Sequence, residues 1–313
     1  MTDETCDETP DDLADEPGDG LGDRLADGPS RPIGAGPAGL VLVSTPIGNL
    51  GDISPRAVAV LQAADIILCE DTRHTSRLLV ACGISGRMQT LHEHNEDGRI
   101  PGLLALLRQG KRIALVSDAG TPLVSDPGFR LVRAAIAEGL PVGVVPGANA
   151  AVTALVLSGL PPQPFLFLGF PPPRSAARLA AFGQLRAAER AGLNATLIWH
   201  EAPHRLAETL VDMAEAFGPR ACAVARELTK KFEEVRRGTV TALAAHYAEH
   251  APRGEITLLL GPPETEDPED LDGALRSALA TLSVKDAAAL VAGATGLPRK
   301  IVYARALEIG RET

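Results

Sequence analysis

Three features of this sequence predict an α/β fold in two domains. Its 313 residues exceed what one hydrophobic core organises, since domains cluster near ~100–150 residues. Hydrophobic residues make up 45% of the chain and aromatics only 3%. The core is therefore packed from Leu, Val, Ile and Ala, the composition of parallel sheets covered by helices. Short apolar runs alternate with helical segments, and each run ends in a loop rich in Gly, Pro, Asp or Ser. That strand–helix–strand order is the signature of parallel pairing.

Taken in chain order, residues 1–38 form an acidic tail with few large apolar side chains, too few to offset the entropy of ordering, and are expected to be disordered. Residues 1–35 hold eleven acids, from Asp3 to Asp27, against Arg24 and Arg31, which is nearly all of the formal charge of −10. The body is close to neutral and remains compatible with a nucleic-acid partner, which the bulk charge alone argues against.

Strand rhythm begins at Leu40-Val-Leu-Val-Ser44 and returns at Ile66–Cys69, Ile113–Val116 and Val142–Val145. Between these lie a helix from Ser54 to Ala63, with Pro55 in its first turn, and one from Asp126 to Glu138, stopped by Gly139. This first domain is expected over residues 39–160. A second, over 161–262, carries strands at Phe165–Leu168, Ala195–Trp199, Cys222–Ala225, Glu234–Thr241 and Glu255–Leu260, the last two read as an antiparallel pair. An acidic linker runs from Pro262 to Asp272. Residues 271–313 read as a small module of two or three helices around Gly296-Leu-Pro298, of helix-turn-helix type.

Cys6, Cys69, Cys82 and Cys222 make no paired or metal-ligand spacing, which fits a reducing, cytoplasmic compartment. The N-terminus is acidic where a signal peptide is basic and apolar. The most apolar stretch, Leu140 to Phe170, is broken by prolines and glycines and makes no membrane span.

Gly34-Ala-Gly36-Pro-Ala-Gly39 matches the dinucleotide pattern GxGxxG. The pattern binds a pyrophosphate only after a strand and at the start of a helix, and here a strand follows it. No phosphate-binding GxxxxGK[ST] loop is present either. Both absences fit a cofactor without phosphates. The most informative stretches are Val116-Ser-Asp-Ala-Gly-Thr-Pro-Leu-Val-Ser-Asp-Pro-Gly128 and Val145-Pro-Gly-Ala-Asn-Ala150. At adjacent strand ends such loops either place bare backbone against a ligand or are simply tight turns. Asp118 either accepts from a ribose hydroxyl or caps a turn.

Those two stretches, together with Thr45-Pro-Ile-Gly-Asn-Leu-Gly-Asp52, Cys69-Glu-Asp-Thr-Arg-His74, Glu201-Ala-Pro-His-Arg205 and Ala225-Arg-Glu-Leu-Thr-Lys230, resemble the ribosomal RNA small subunit methyltransferase I family of the tetrapyrrole methylase superfamily. The resemblance spans about Leu40 to Gly261 and the C-terminal helices. It implies two α/β domains of the tetrapyrrole methylase type with S-adenosylmethionine in the cleft between them, and 2′-O-methylation of a cytidine in the decoding region of 16S ribosomal RNA within the small subunit. A homodimer stays open. Carried over residue by residue, it implies cofactor contacts at Pro46, Ile47, Gly48, Asp118, Ala119, Gly120, Thr121, Val124, Ser125, Asn149, Ala150, Glu201, Ala225 and Thr257. Ala202 departs from the family pattern, where Ser is expected.

On the substrate side, Arg73, Arg77, Arg174, Arg178, Lys230, Lys231, Arg236 and Arg237 form short basic groups that either track phosphates or are solvated surface. His92-Glu-His94 is read as a metal pair lacking a third ligand or as ordinary polar surface, and no metal is expected. A methyl sulfonium reacts readily once positioned, so a strong base is not demanded. Glu70, His74, His92 and Glu201 are candidates to take the proton, in no fixed order. A tetrapyrrole C-methyltransferase, a dinucleotide-dependent oxidoreductase and a non-enzymatic ribosome-binding module are the competing readings. The first calls for a large apolar trough, and the last for degenerate cofactor loops.

Because the acidic tail lacks the apolar residues of a core, a protein starting at Ala38 is expected to keep its melting temperature and its activity. A drop of several degrees on truncation, read by differential scanning fluorimetry, contradicts this.

Overall fold

The computed structural model describes residues 38–263, 268–295 and 297–312. The expectation of disorder over the acidic tail falls outside the described residues, apart from Ala38, and so do Gly34, Gly36 and Gly296. The last glycine of the GxGxxG match, Gly39, opens the first strand rather than a helix.

The first half of the chain alternates β1 (Gly39–Val43), α1 (Pro55–Ala63), β2 (Ile66–Cys69), α2 (Thr72–Ala81), β3 (Met88–Thr90), α3 (Glu96–Arg108), β4 (Arg112–Val116), α4 (Phe129–Ala137), β5 (Val142–Val145) and α5 (Ala150–Ser158). Its five strands form one sheet in the order β3-β2-β4-β1-β5, every neighbouring pair parallel. Side chains alternate across a strand, so each strand feeds two cores. Val43, Ile67 and Val116 pack under Ala57, Leu61 and Leu79 of α1 and α2. The alternate residues Leu40, Leu68 and Leu115 pack under Leu103 and Leu107 of α3 and Leu131 of α4.

Adjacent strands β1 and β4 thus send their chains to opposite faces. That divergence opens a crevice at their carboxyl ends. Local sequence sets the starts: Ser54 Oγ accepts from Ala57 N at 3.1 Å ahead of Pro55, and Asp71 Oδ1 accepts from Arg73 N at 2.8 Å. One expected helix differs. It begins at Phe129 rather than Asp126, because Gly128 has φ 114° and ends the preceding loop in a left-handed turn.

The second half runs β6 (Phe165–Phe167), α6 (Ser175–Arg190), β7 (Thr196–Glu201), α7 (Leu206–Phe217), β8 (Ala221–Arg226), β9 (Glu234–Thr239), α8 (Val240–Glu249) and β10 (Ile256–Leu260). The second sheet has the order β6-β7-β10-β8-β9. Here the expected pairing of the last two strands is corrected. β10 inserts antiparallel between β7 and β8, and β9 pairs with β8 instead. All five residues of β10 are buried, as a central strand with two covered faces requires. One face of the sheet is covered by α6, α7 and α8 through Phe182, Leu210 and Leu243 on Trp199, Val224 and Leu258. The other is covered by α5, whose Ala151, Ala154 and Leu155 lie on Ile198, Ala223 and Leu259.

Three further helices, α9 (Pro268–Leu279), α10 (Val284–Thr295) and α11 (Arg299–Glu312), share a separate core of Leu275, Val291, Val302 and Ile309. Among the described residues no helix is long and apolar enough to cross a membrane.

One buried ion pair fastens α6 to α7. Arg178, 1% exposed, donates Nε–H to Asp212 Oδ2 at 2.7 Å and reaches the carbonyls of Pro172 and Pro173. Arg178→Ala strands a buried carboxylate and is expected to cost about 3–5 kcal/mol in urea unfolding, whereas replacing both partners by apolar residues of similar volume costs much less. Equal losses for the single and double variants are the contrary result.

Candidate active site

Three loops from the first sheet meet at its carboxyl edge. The loop after β1 is tied to the loop after β4 by two backbone hydrogen bonds, Thr45 N–H to Gly120 O at 2.9 Å and Gly120 N–H to Thr45 O at 3.1 Å. The loop after β4 is tied in turn to the loop after β5 by Thr121 Oγ1 donating to Ala148 O at 3.1 Å. Gly147 allows a close approach of the β5 loop to the β1 loop, since a Cβ there would stand 2.8 Å from the Cβ of Ser44. Asn149 then caps α5 through its side chain, accepting from Val152 N at 3.1 Å. The β4 loop holds two non-glycine residues in left-handed backbone, Leu123 at φ 71° and Ser125 at φ 69°. Conformations that cost on the order of 1–3 kcal/mol each persist only where the surroundings over-determine them, and they cluster at functional sites.

These loops face the second sheet across a cavity of about 400 Å³, within the size range of small-molecule sites. Twelve of the fourteen positions to which the resemblance assigns cofactor contacts line it: Ile47, Asp118, Ala119, Gly120, Thr121, Val124, Ser125, Asn149, Ala150, Glu201, Ala225 and Thr257. Pro46 and Gly48 lie in the same loop as Ile47 but off the wall. Gly48 instead packs on the side chain of Lys230, which a Cβ would meet at 2.4 Å. Asp118, Asp126, Glu201 and Glu255 line the cavity, and among the described residues no lysine or arginine does.

The candidate proton acceptors separate. Glu201 alone lines the cavity, and its carboxylate is already engaged: Oε1 accepts from Ala202 N at 2.7 Å, Oε2 from Thr209 Oγ1 at 2.5 Å, and Arg205 stands 3.2 Å away. A carboxylate so held is a scaffold for the loop after β7, not a free base. Glu70 and His74 sit exposed at the start of α2, off the wall. His92 is half-buried in the turn before α3, its Nε2 3.0 Å from Asn95 Nδ2. His94 lies in the same turn, its ring centroid 6.2 Å from that of His92. No group of three His, Cys, Asp or Glu able to hold a metal occurs among the described residues.

The basic groups need correction too. Arg178 is spent on Asp212, because a buried guanidinium must be paired. Lys230 bridges Glu227 at 2.8 Å and Glu255 at 3.1 Å, and Arg236 pairs with Glu234 at 2.7 Å. Arg237 Nε donates to the carbonyls of Leu157 and Ser158 at 3.1 Å, a cation on the C-terminal end of α5. Arg73 folds back on Asp71 at 2.9 Å while 88% exposed. Arg77, Arg174 and Lys231 are exposed with no carboxylate partner among the described residues.

The cavity also holds residues that sequence reasoning does not single out. Asp126 lies inside the Val116–Gly128 stretch, where the spacing makes it only the start of a helix. Burial, then the charges of Glu70 and Asp118, push its pKa up to about 6, against a lesser pull from the Ser117 hydroxyl. His200 has its pKa lowered by burial, partly opposed by Glu255, and its Nδ1 lies 3.3 Å from Thr257 Oγ1. Its ring packs on Phe167 and Phe170. Phe170 is 55% exposed and lines the cavity, an aromatic surface that no spacing rule indicates.

Comparison with known proteins places this geometry. Residues 39–244 match the family described as Tetrapyrrole (Corrin/Porphyrin) Methylases, and residues 265–310 match the RsmI C-terminal HTH domain. The chain is 48% identical over 285 residues to a ribosomal RNA small subunit methyltransferase I of Mesorhizobium japonicum, covering 90% of this chain and 94% of the relative. It is 47% identical over 277 residues to the protein of that name in Micromonospora olivasterospora, covering 86% of each. Among solved structures it is similar in fold to a diphthine synthase, with a TM-score of 0.55 at 14% identity, over 71% of this chain and 90% of that one. The chain belongs to the tetrapyrrole methylase family, in its ribosomal RNA small subunit methyltransferase I branch.

Proposed function

We propose that this protein is a cytoplasmic enzyme that transfers the methyl group of S-adenosylmethionine to the 2′-hydroxyl of a cytidine in the decoding region of 16S ribosomal RNA. The observation that carries the cofactor assignment is the cavity wall. Among the described residues four carboxylates and no lysine or arginine line it, a setting hostile to the phosphates of a dinucleotide and favourable to a sulfonium cation. The apolar side chains Ile47, Val124, Leu228 and Ile256 complete the wall and suit an adenine face. Glycine at 120 and 147 lets these loops close on one another, since a Cβ there would crowd Ile47 at 3.2 Å and strike Ser44 at 2.8 Å.

S-adenosylmethionine supplies, when bound, a methyl group on an excellent leaving group. The work left to the protein is positioning, worth up to ~7–11 kcal/mol when two reactants are held in near-attack geometry. The hydrogen-bonded loops at Thr45, Gly120 and Ala148 hold one wall, and the Glu201–Arg205–Thr209 cluster holds the other. The substrate assignment rests on the names of the relatives and on exposed cations that have no carboxylate partner among the described residues. Arg77 lies on the helix after β2, Arg174 four residues beyond Phe170, and Lys231 three residues beyond Leu228. A porphyrinoid substrate calls for a broad apolar trough, which this acid-lined wall does not supply.

Two outcomes test the reading. Titration calorimetry is expected to show binding of S-adenosylmethionine and S-adenosylhomocysteine but not of NAD or FAD, and Gly147→Val is expected to abolish it. Binding of NAD alone sinks the assignment. Replacing Arg77, Arg174 and Lys231 together by Ala is expected to weaken binding to small-subunit RNA and to lower the slope of log K against log salt by about one for each phosphate no longer neutralised, leaving cofactor affinity unchanged. An unaltered slope shows that the RNA path runs elsewhere.

A further inference from the structure

We infer that Asp126 is the group that takes the proton from the attacking hydroxyl, an assignment that rests on the proposed methyl transfer. The geometry isolates it among the described residues. Of the carboxylates on the cavity wall, Glu201 is consumed by Arg205, Thr209 and Ala202 N. Glu255 is paired with Lys230 at 3.1 Å, and Asp118 Oδ1 accepts from Asp71 N at 3.3 Å. Asp126 has no cation beside it among those residues.

Its loop is built to hold it there. Ser125 directly before it has φ 69°, Leu123 has φ 71°, and Gly128 has φ 114°. Pro122 and Pro127 remove two further backbone freedoms. A Cβ on Gly128 would strike Leu115 Cδ2 at 2.5 Å, so the turn that ends this loop is pressed onto β4. Five constraints within one loop, at a cost in strain, are hard to account for if the side chain they present is only surface.

The surroundings set its chemistry. The titratable groups that face it are Glu70, from the loop after β2, and Asp118, from its own loop, with the Ser117 hydroxyl beside it. Burial and two like charges raise its proton affinity to about pH 6, close to the working range in which a general base combines ionisation with driving force. In the step itself the ribose oxygen forms a bond to the methyl carbon as the carbon–sulfur bond breaks and its electron pair returns to sulfur. The hydroxyl proton passes to the Asp126 carboxylate and later to water. Sulfur becomes a neutral thioether, and charge and atoms balance without another reactant.

The test is the pH profile of single-turnover methyl transfer to small subunits by the full-length protein. The wild type is expected to lose rate as pH falls through about 6. Asp126→Asn is expected to lower the rate by about a hundredfold and to abolish that acid limb, with a much smaller loss of affinity for S-adenosylmethionine. Asp126→Glu is expected to recover part of the rate and the limb. A second readout is independent of activity. A carboxyl whose pKa folding raises from 3.8 to about 6 costs the fold stability as pH climbs through that window, so Asp126→Asn is expected to melt higher than the wild type at pH 8, by less at pH 5, and no higher below about pH 4. An Asn variant that keeps the rate and the limb overturns the assignment, whether the limb then tracks His200 or no residue on the wall. Absence of methyl transfer by the wild type overturns the proposed function instead.

Discussion

Everything at the cleft depends on the docking of α5. This helix continues directly from β5 of the first sheet, yet its Ala151, Ala154 and Leu155 are buried on the second sheet against Ile198, Ala223 and Leu259. One short segment is thereby part of both halves. Small side chains let the helix sit close to the sheet, and burying a leucine there contributes on the order of 1.5–3 kcal/mol. The helix is held at both ends: Asn149 satisfies its first turn, and Arg237 of β9 satisfies its last carbonyls. Ile47, from the loop after β1, joins the same apolar cluster. The width of the cavity is therefore fixed by core packing, not by a flexible hinge, because packed interiors yield little.

Rigidity of this kind is what a positioning enzyme requires. The site concentrates the costs of the fold in the β4 loop, in Leu123, Ser125 and the half-buried Asp126 facing two carboxylates. The two sheets beneath it offset those costs with strands buried on both faces. The buried Arg178–Asp212 pair plays a related part at the opposite wall. Its guanidinium grips the carbonyls of Pro172 and Pro173, which anchors the segment that follows Phe170.

What the sequence makes legible divides along the range of the interaction. The strands of the parallel sheet are visible because apolar runs between Gly- and Pro-rich loops are local signals, and so are the helix starts at Ser54 and Pro55. On the first-domain side of the cavity, contiguous loop motifs at Asp118–Ser125 and Asn149–Ala150 supply much of the wall; local composition marks them as ligand loops or tight turns, and the family resemblance is what assigns them to a cofactor. The insertion of β10 between β7 and β8 is not legible, because pairing order is decided by which faces the distant helices cover. Arg178 looks like any surface cation until Asp212, 34 residues away, is placed beside it. Asp126 is hidden in a different way. Its identity is plain, but its character comes from burial and then from Glu70 on another strand end, and a helix expected to start at Asp126 rather than Phe129 conceals which way the loop turns.

The distribution of charge bears on how a polyanion meets this cleft. The charged groups on the wall are acidic, while several arginines and lysines near it are neutralised by internal partners, Lys230 by Glu227 and Glu255, Arg236 by Glu234. A phosphate is repelled from the interior at the distances involved, since partial burial weakens screening. The exposed cations Arg174 and Lys231 lie on segments that leave the wall, and Arg77 lies on α2, whose start is off it. On the proposed function, an RNA strand held by them would keep its phosphates outside and offer only an uncharged part of a nucleotide to the cavity. Sugar hydroxyls and bases are the groups that remain, and Phe170, 55% exposed beside the half-buried His200, presents an aromatic face at that point. On the proposed function the same segregation sets the negative charge where a sulfonium would lie, so one arrangement of carboxylates would serve both to retain the methyl donor and to turn the phosphodiester backbone away.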